Sequence, residues 1–346
     1  MLKRIEKSIY TVVDELKVTV WVTREPVPFE QRMTGTRKEL SIGDKWGDLW
    51  DCGWFHFAGI VPESAAGSNV VLLIDISGEA CIVDDAGCPI QGLTTVASTF
   101  DYSLGFPGKR VVPLFEQARG GEMIDLWADG ACNDLFGEYK NNGVLKEAHI
   151  AVCNKTMRDI YYDMEVLYEL LEYTPKDKAR YHSIVTALLE ACKVLREFTE
   201  EEAEKAREIL APELAKKGGT PSLTISAVGH AHIDLAWLWP IRETIRKGAR
   251  TFATVLALME RYPDYVFGAS QPQLYQWMKD YYPTLYEKIK EKVFSGRWEP
   301  QGGMWVEADT NITGGESLIR QVLYGKRFFR SEFGQDMRIL WLPDVF

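Results

Sequence analysis

The sequence predicts a multidomain protein: an N-terminal antiparallel β-sandwich, a helical linker, and then the first part of a parallel, β/α barrel-like α/β domain. Three changes of texture carry that prediction. Residues up to about 153 hold short β-branched or aromatic runs separated by turn signals, the pattern of a sandwich. Residues from about 155 to 217 space their apolar side chains at helical intervals. From 222 onward strand-like and helix-like runs alternate, which calls for a parallel sheet with right-handed crossovers. The expected units are 1–153 for the sandwich with a short leading helix, 154–219 for the helical region and 220–346 for an incomplete α/β domain.

In chain order, Lys17–Val22, Trp54–Val61, Val70–Ile76, Ala80–Asp84, Val111–Leu114 and Met123–Ala128 read as strands. Asp85-Ala86-Gly87 and Arg119-Gly120-Gly121 supply turns between them. Ile160, Met164, Leu167 and Leu171 step by four, three and four, and Ile184, Leu188, Ala191 and Leu195 repeat the step; both are apolar stripes of amphipathic helices. Thr199 with Glu202 forms a capping box that starts a third helix. Lys217-Gly218-Gly219-Thr220-Pro221 marks the next boundary.

Beyond it, strand Leu223–Val228 leads to a helix over Pro240–Tyr262, stopped by Pro263. Strand Tyr265–Ala269 leads to helical segments over Gln273–Phe294, interrupted near Pro283. Strand Gly296–Pro300 leads to a helix over Gly315–Phe333, capped by Gly334, and strand Arg338–Leu342 comes last. Phe346 follows Asp344 by two residues with no helix to cover that strand, so a piece of a longer protein is expected.

The formal net charge of −10 without a basic block argues against nucleic acid and anionic membrane as partners. The opening residues form a charged helical pattern instead of a signal peptide, and no run is apolar enough to span a membrane. The six scattered cysteines form no C-x-x-C pair, so free thiols and a cytoplasmic location are expected. A homo-oligomer is left open.

Ligands of parallel α/β sheets bind at the C-terminal strand ends. Strand one delivers His230, His232 and Asp234, then Trp237 and Trp239; strand two delivers Ser270, Gln271 and Gln273. Strand three delivers the run from Gly302 to Asp309, and strand four Pro343 and Asp344. Histidine, histidine and aspartate at alternate positions aim two or three ligand atoms at one point. Taken alone, that cluster also reads as a hydrogen-bonded strand end, Glu307 and Asp309 as a solvated loop, Asp344 as a turn residue, and Trp237 and Trp239 as core. His56, His149 and His182 lie away from the rim and read as structural or surface residues.

A divalent ion held by one imidazole and two carboxylates keeps positions open for the vicinal hydroxyls of a sugar. A carboxylate at the edge of that site could attack the neighbouring anomeric carbon, as in retaining glycoside hydrolysis. Indole rings alongside would give the sugar a stacking wall.

At these residues the sequence resembles the α-mannosidases of glycoside hydrolase family 38, most of all the cytosolic and bacterial type. The match lies in Val228-Gly229-His230-Ala231-His232-Ile233-Asp234-Leu235-Ala236-Trp237, Gly296-Arg297-Trp298-Glu299, the run Gly302–Asn311, and Trp341-Leu342-Pro343-Asp344-Val345-Phe346. Trp54-Phe55-His56-Phe57, Gly78-Glu79-Ala80 and the run Asp85–Gly92 resemble the sandwich that precedes the catalytic domain in this type.

The resemblance implies a zinc-dependent retaining α-mannosidase acting on non-reducing α-mannosyl residues of oligosaccharides. It implies His232, Asp234 and Asp344 as metal ligands and Asp344 as nucleophile. Trp237 and Asp309 are implied in substrate binding, although Ala308 stands where the family commonly has proline, and His230 is implied behind the ligands. It also implies a fourth ligand and an acid/base carboxylate beyond Phe346, so this chain by itself is expected to be inactive. The same donors would take cobalt or a similar ion. Two other readings are a metal-dependent amidohydrolase or deacetylase, and a non-catalytic carbohydrate-binding protein that uses the sandwich.

Overall fold

The structure, a computed structural model, describes residues 1–95, 109–133, 143–217 and 224–344. The expected boundary residues 218–221, Leu223 at the start of the first parallel strand, and Val345 and Phe346 lie outside the described residues.

Among the described residues a short helix α1 (Leu2–Lys7) precedes twelve strands. They are β1 (Tyr10–Glu15), β2 (Lys17–Thr23), β3 (Thr36–Leu40), β4 (Lys45–Gly47), β5 (Cys52–Ile60) and β6 (Val70–Asp75), followed by β7 (Glu79–Val83), β8 (Pro89–Thr94), β9 (Val111–Phe115), β10 (Met123–Ala131), β11 (Gly143–Val144) and β12 (Glu147–Cys153). They form a four-stranded sheet β1-β12-β6-β9, a six-stranded sheet β3-β2-β5-β10-β7-β8 and the small pair β11-β4, all antiparallel. Phe55 and Phe57 of β5 and Leu72 and Ile74 of β6 meet in the core between the two large sheets.

Strand β6 reads Val-Val-Leu-Leu-Ile without alternation because both its faces are covered. Val70, Leu72 and Ile74 face the sandwich core, while Val71 and Leu73 join a second core with Met157, Ile160 and Ile184. That second core belongs to helices α2 (Lys155–Tyr173), α3 (Ala179–Val194) and α4 (Glu200–Leu214), which lie on the outer face of the four-stranded sheet. Asn154 caps α2 through Met157 N, and Thr199 and Glu202 form the expected capping box of α4.

The remaining elements are β13 (Gly229–His230), α5 (Ile241–Arg261), β14 (Phe267–Ala269), α6 (Pro272–Tyr281), α7 (Pro283–Phe294), β15 (Trp298–Pro300) and α8 (Gly315–Phe333). Strands β13, β14 and β15 make a parallel sheet in that order, in which Gly229 pairs with Phe267 and Phe267 with Trp298. Phe252, Tyr275 and Phe329 share its core with Phe267 and Trp298 of the sheet. Gly334, at φ 68°, ends α8 as expected.

Two expected strands differ. Residues 224–228 pair with nothing, and Ile225 is 90 % exposed, so the first strand shrinks to Gly229–His230. Residues 338–342 also form no strand, and Ile339 and Leu340 are exposed. In both places the apolar side chains have no second layer to cover them among the described residues. Hydrophobicity alone does not hold a strand that lacks a ladder and a cover. The described parallel layer therefore has three strands.

Helix α5 joins this layer to the sandwich. Arg246 binds Asp129 of β10 through both carboxylate oxygens, Nε lying 2.9 Å from Oδ2, and reaches Glu243 at 2.7 Å. Glu79 of β7 accepts from Lys247 and, at 2.9 Å, from Arg250. All of these cations and Glu243 are buried. Gly92 of β8 lies so close to α5 that a Cβ would sit 2.9 Å from Arg250 O, and its N–H donates to Thr254 Oγ1 at 2.9 Å. Among the described residues no helix is long and apolar enough to cross a membrane.

Candidate metal centre

Strand β13 is short but places its successor residues firmly. Ile233 is buried in the core beneath the parallel sheet and pins the segment, while His232 and Asp234 face away from it. His232 Nε2 lies 3.3 Å from Asp234 Oδ1 and 3.4 Å from Asp344 Oδ2. One ligand atom from each of these three residues falls within 4.8 Å of the others.

That spacing can be tested against a divalent ion. Metal–nitrogen and metal–oxygen distances near 2.05 Å in a tetrahedron put neighbouring donors roughly 3.3 Å apart. Both distances from His232 Nε2 match, and one imidazole with two carboxylates is a donor set that zinc or cobalt accepts. The same approach also suits a protonated imidazole between two carboxylates, which describes the metal-free form.

The other ring nitrogen is engaged as well. His232 Nδ1 lies 2.7 Å from Glu307 Oε2, and Glu307 is only 6 % exposed at its side chain. This hydrogen bond is the main reason that His232 is raised from the usual 6.5 to about 9; burial opposes it and Asp234 adds to it. Ser270 Oγ donates to the other Glu307 oxygen. Gln271 donates from Nε2 to Ile233 O at 2.8 Å and accepts at Oε1 from Glu307 N at 3.1 Å. It does so from a left-handed backbone at φ 64°, a conformation that costs a non-glycine residue on the order of 1 kcal/mol.

His230 is fully occupied elsewhere. Its Nδ1 lies 2.9 Å from Gly268 O and its Nε2 accepts the Trp341 indole N–H at 3.2 Å. Its ring meets Trp341 edge-on at 5.1 Å. Neither nitrogen is left for an ion, and the residue instead ties β13 to the segment that carries Asp344.

Trp237 is 46 % exposed and meets Trp239 edge-on at 5.0 Å. Trp239 is the inner of the two, with its Nε1 donating to Thr244 Oγ1 at 3.0 Å. Asp309 is exposed, and its Oδ1 accepts from Asn311 N at 2.8 Å within its own turn. The loop leading to it is held against α8: Val306 N donates to Gln321 Oε1 at 2.8 Å, and a Cβ on Gly325 would sit 2.3 Å from Gly303 O.

Sequence reasoning left Glu307 as a residue equally suited to a solvated loop, and placed Gln271 on the rim and Trp341 in a matching motif without giving either a role. The usable signal for Glu307 was its position in the run that follows the third parallel strand, directly after Trp305 and Val306. Gln271 gives no local signal, since its role depends on a backbone angle and two distant loops.

Other chemistry is less well served. Burial pushes the Cys81 and Cys132 thiols up to about 12 and Cys52 to about 11, so none is a ready nucleophile. The sandwich tryptophans Trp21, Trp46 and Trp54 are buried in packing, not displayed as a sugar platform. His56 stacks on Trp127 at 4.6 Å and pairs with Asp125. A groove lined by Leu318, Ile319, Val322 and Leu323 of α8 includes none of the His232 cluster.

Residues 222–346 match the description "Glycosyl hydrolases family 38 N-terminal domain", and residues 13–174 match "Alpha-mannosidase, jelly roll domain". The chain is 34 % identical to human Alpha-mannosidase 2C1, over 94 % of its own length and 31 % of that relative. It is 34 % identical to Alpha-mannosidase G of Dictyostelium discoideum, over 96 % and 31 %. It is 29 % identical to the Alpha-mannosidase of Saccharomyces cerevisiae, over 89 % and 30 %. The chain thus spans about a third of the length of the curated relatives it matches. With a family 38 N-terminal domain matched at 222–346 behind an alpha-mannosidase jelly roll matched at 13–174, the chain is similar to the alpha-mannosidases of glycosyl hydrolase family 38 along most of its length.

Proposed function

We propose that the chain is part of a zinc-dependent, retaining α-mannosidase that removes non-reducing α-mannosyl residues from oligosaccharides in the cytoplasm. The observation that carries the reading is the approach of His232, Asp234 and Asp344 to one another within the stretch that matches the family 38 N-terminal domain. In this reading the sequence divides at 1–153, 154–219 and 220–346, and the three-stranded parallel sheet is the start of a larger, barrel-like layer.

His232, Asp234 and Asp344 would hold the ion, with a further ligand from elsewhere in the protein. A bound zinc or cobalt ion would accept the substrate's vicinal hydroxyls and hold the sugar ring. Trp237 gives that ring an apolar wall, and Asp309 contributes to substrate binding. His230 holds the first and last segments together behind the ligands.

The reaction proceeds in two displacements. An Asp344 oxygen attacks the anomeric carbon; the new C–O bond forms as the glycosidic C–O bond breaks, and the departing oxygen takes a proton from a general acid. Water then attacks the same carbon, gives its proton back to that group and releases the Asp344 carboxylate. The described residues do not supply the general acid in this scheme, and it is assigned to the remainder of the protein.

The test is Asp344→Asn in the full-length protein together with a mechanism-based fluorosugar. The reading expects loss of activity on substitution and a glycosyl label on Asp344 in the unsubstituted protein. A label on another residue would overturn the assignment of the nucleophile.

A further inference from the structure

We infer that Glu307 is a positioning residue that locks His232 with Nε2 facing Asp234 and Asp344; this rests on the reading that those three residues hold a metal ion. A carboxylate has only acceptor oxygens, so Glu307 Oε2 at 2.7 Å from Nδ1 requires a hydrogen on Nδ1. In the neutral ring that hydrogen leaves the lone pair on Nε2, the nitrogen 3.3 Å and 3.4 Å from the two aspartates. The ring's rotation is thereby fixed before any ion arrives, and Nε2 is the nitrogen that gives up its proton when one binds.

The carboxylate is itself held in place. A side chain 6 % exposed bears its charge only if its oxygens are bonded. One oxygen takes His232 and the other takes the Ser270 hydroxyl. The Glu307 backbone N–H is fixed by Gln271, whose other amide group holds Ile233 O, next to His232. Loops leaving all three parallel strands therefore meet at this one carboxylate, and Gln271 makes its two bonds there from a left-handed backbone. A solvated loop glutamate needs none of this. Carboxylate partners of ligand histidines typically change metal affinity by about 10- to 100-fold when removed.

The experiment uses the full-length, metal-free protein. Zn²⁺ affinity is measured by calorimetry for the unsubstituted protein and for Glu307→Met, Glu307→Gln, Ser270→Ala and His232→Ala. A second sample, with ¹⁵N-labelled histidine and ¹¹³Cd²⁺, reports which His232 nitrogen is bonded to the metal. Glu307→Met should weaken Zn²⁺ binding about 10- to 100-fold and spread the ¹¹³Cd coupling over both ring nitrogens. Glu307→Gln, which keeps an acceptor, should restore most of the affinity and the Nε2 coupling, and Ser270→Ala should fall between them. If Glu307→Met does not fold, Ser270→Ala decides: affinity equal to the unsubstituted protein overturns the inference.

Zn²⁺ binding that depends on His232 but is unchanged in folded Glu307→Met overturns the role of Glu307 and leaves the metal reading standing. Coupling through Nδ1 in the unsubstituted protein does the same. No Zn²⁺ binding, or binding indifferent to His232→Ala, overturns the metal reading and this inference with it.

Discussion

Trp341 donates its indole N–H to His230 Nε2 at 3.2 Å, so the segment that carries Asp344 is anchored to strand β13 by a side chain and not by a sheet ladder. Trp341→Phe keeps the edge-on ring contact and removes the donor. The expected cost is about 1 kcal/mol of stability in urea unfolding. Calorimetry should also show weaker zinc binding, because Asp344 is held less well. Unchanged zinc affinity would mean that Asp344 is fixed by other contacts.

The buried ion network on α5 predicts a strong coupling between sandwich and parallel layer. Burial alone would raise the Glu79 carboxyl, but Arg250 and Lys247 outweigh it and hold it at about 2. Lys247 is in turn pushed down, since burial and the neighbouring Arg250 cation outweigh its share of Glu79. Glu79 serves two cations, and its ionised state follows from both. Glu79→Gln leaves those cations without their anion and should cost about 3–5 kcal/mol, read by chemical denaturation at neutral pH.

The same residue sets an acid limit. The folded value of Glu79 lies below the ordinary 4.5, so its contribution is full above that value and is lost as the pH falls toward about 2. The acid-induced loss of stability in this window should be shallower in Glu79→Gln than in the unsubstituted protein.

For His232 the sign is reversed. Its folded value of about 9 lies above the ordinary 6.5, so in the metal-free protein its contribution is full below 6.5 and is lost as the pH rises through about 9. A metal needs the neutral ring, so zinc affinity should rise by about tenfold per pH unit between about pH 6 and 8. His232→Ala should flatten the stability profile. A zinc affinity independent of pH would argue that His232 is not a ligand.

Trp237 follows Asp234 by three residues, is half exposed and meets Trp239 edge-on. Trp237→Ala should raise KM for an α-mannoside by up to about tenfold, the equivalent of roughly 0.5–1.5 kcal/mol of ring stacking, with zinc content unchanged. Loss of zinc instead would place this side chain in support of the ligands.

Much of the architecture was legible where local chemistry decides it. Thr199 and Glu202 cap α4, Pro283 separates α6 from α7, and Gly334 closes α8. These depend on a few neighbouring residues. Segments 224–228 and 338–342 have strand-like composition but no ladder, because pairing and cover are tertiary facts that composition does not contain. Conversely, β1, β3, β8 and β12 were not singled out, since their sequences Tyr10–Glu15, Thr36–Leu40, Pro89–Thr94 and Glu147–Cys153 mix polar residues and gain their place from partners.

The candidate site divides the same way. His232, Asp234 and Asp344 stand out because strand ends gather ligand types, and their atoms do approach one another. Glu307 and Gln271 were placed on the same rim, but their bonds to His232 and Ile233 are tertiary and left no mark in the sequence.

Anomalous diffraction at the zinc absorption edge, from crystals of the full-length protein, tests the central claim most directly. The account predicts one peak about 2.0–2.2 Å from His232 Nε2 and from a carboxylate oxygen of both Asp234 and Asp344. No peak there, or a peak that leaves His232 bonded only to the three carboxylates, would contradict it.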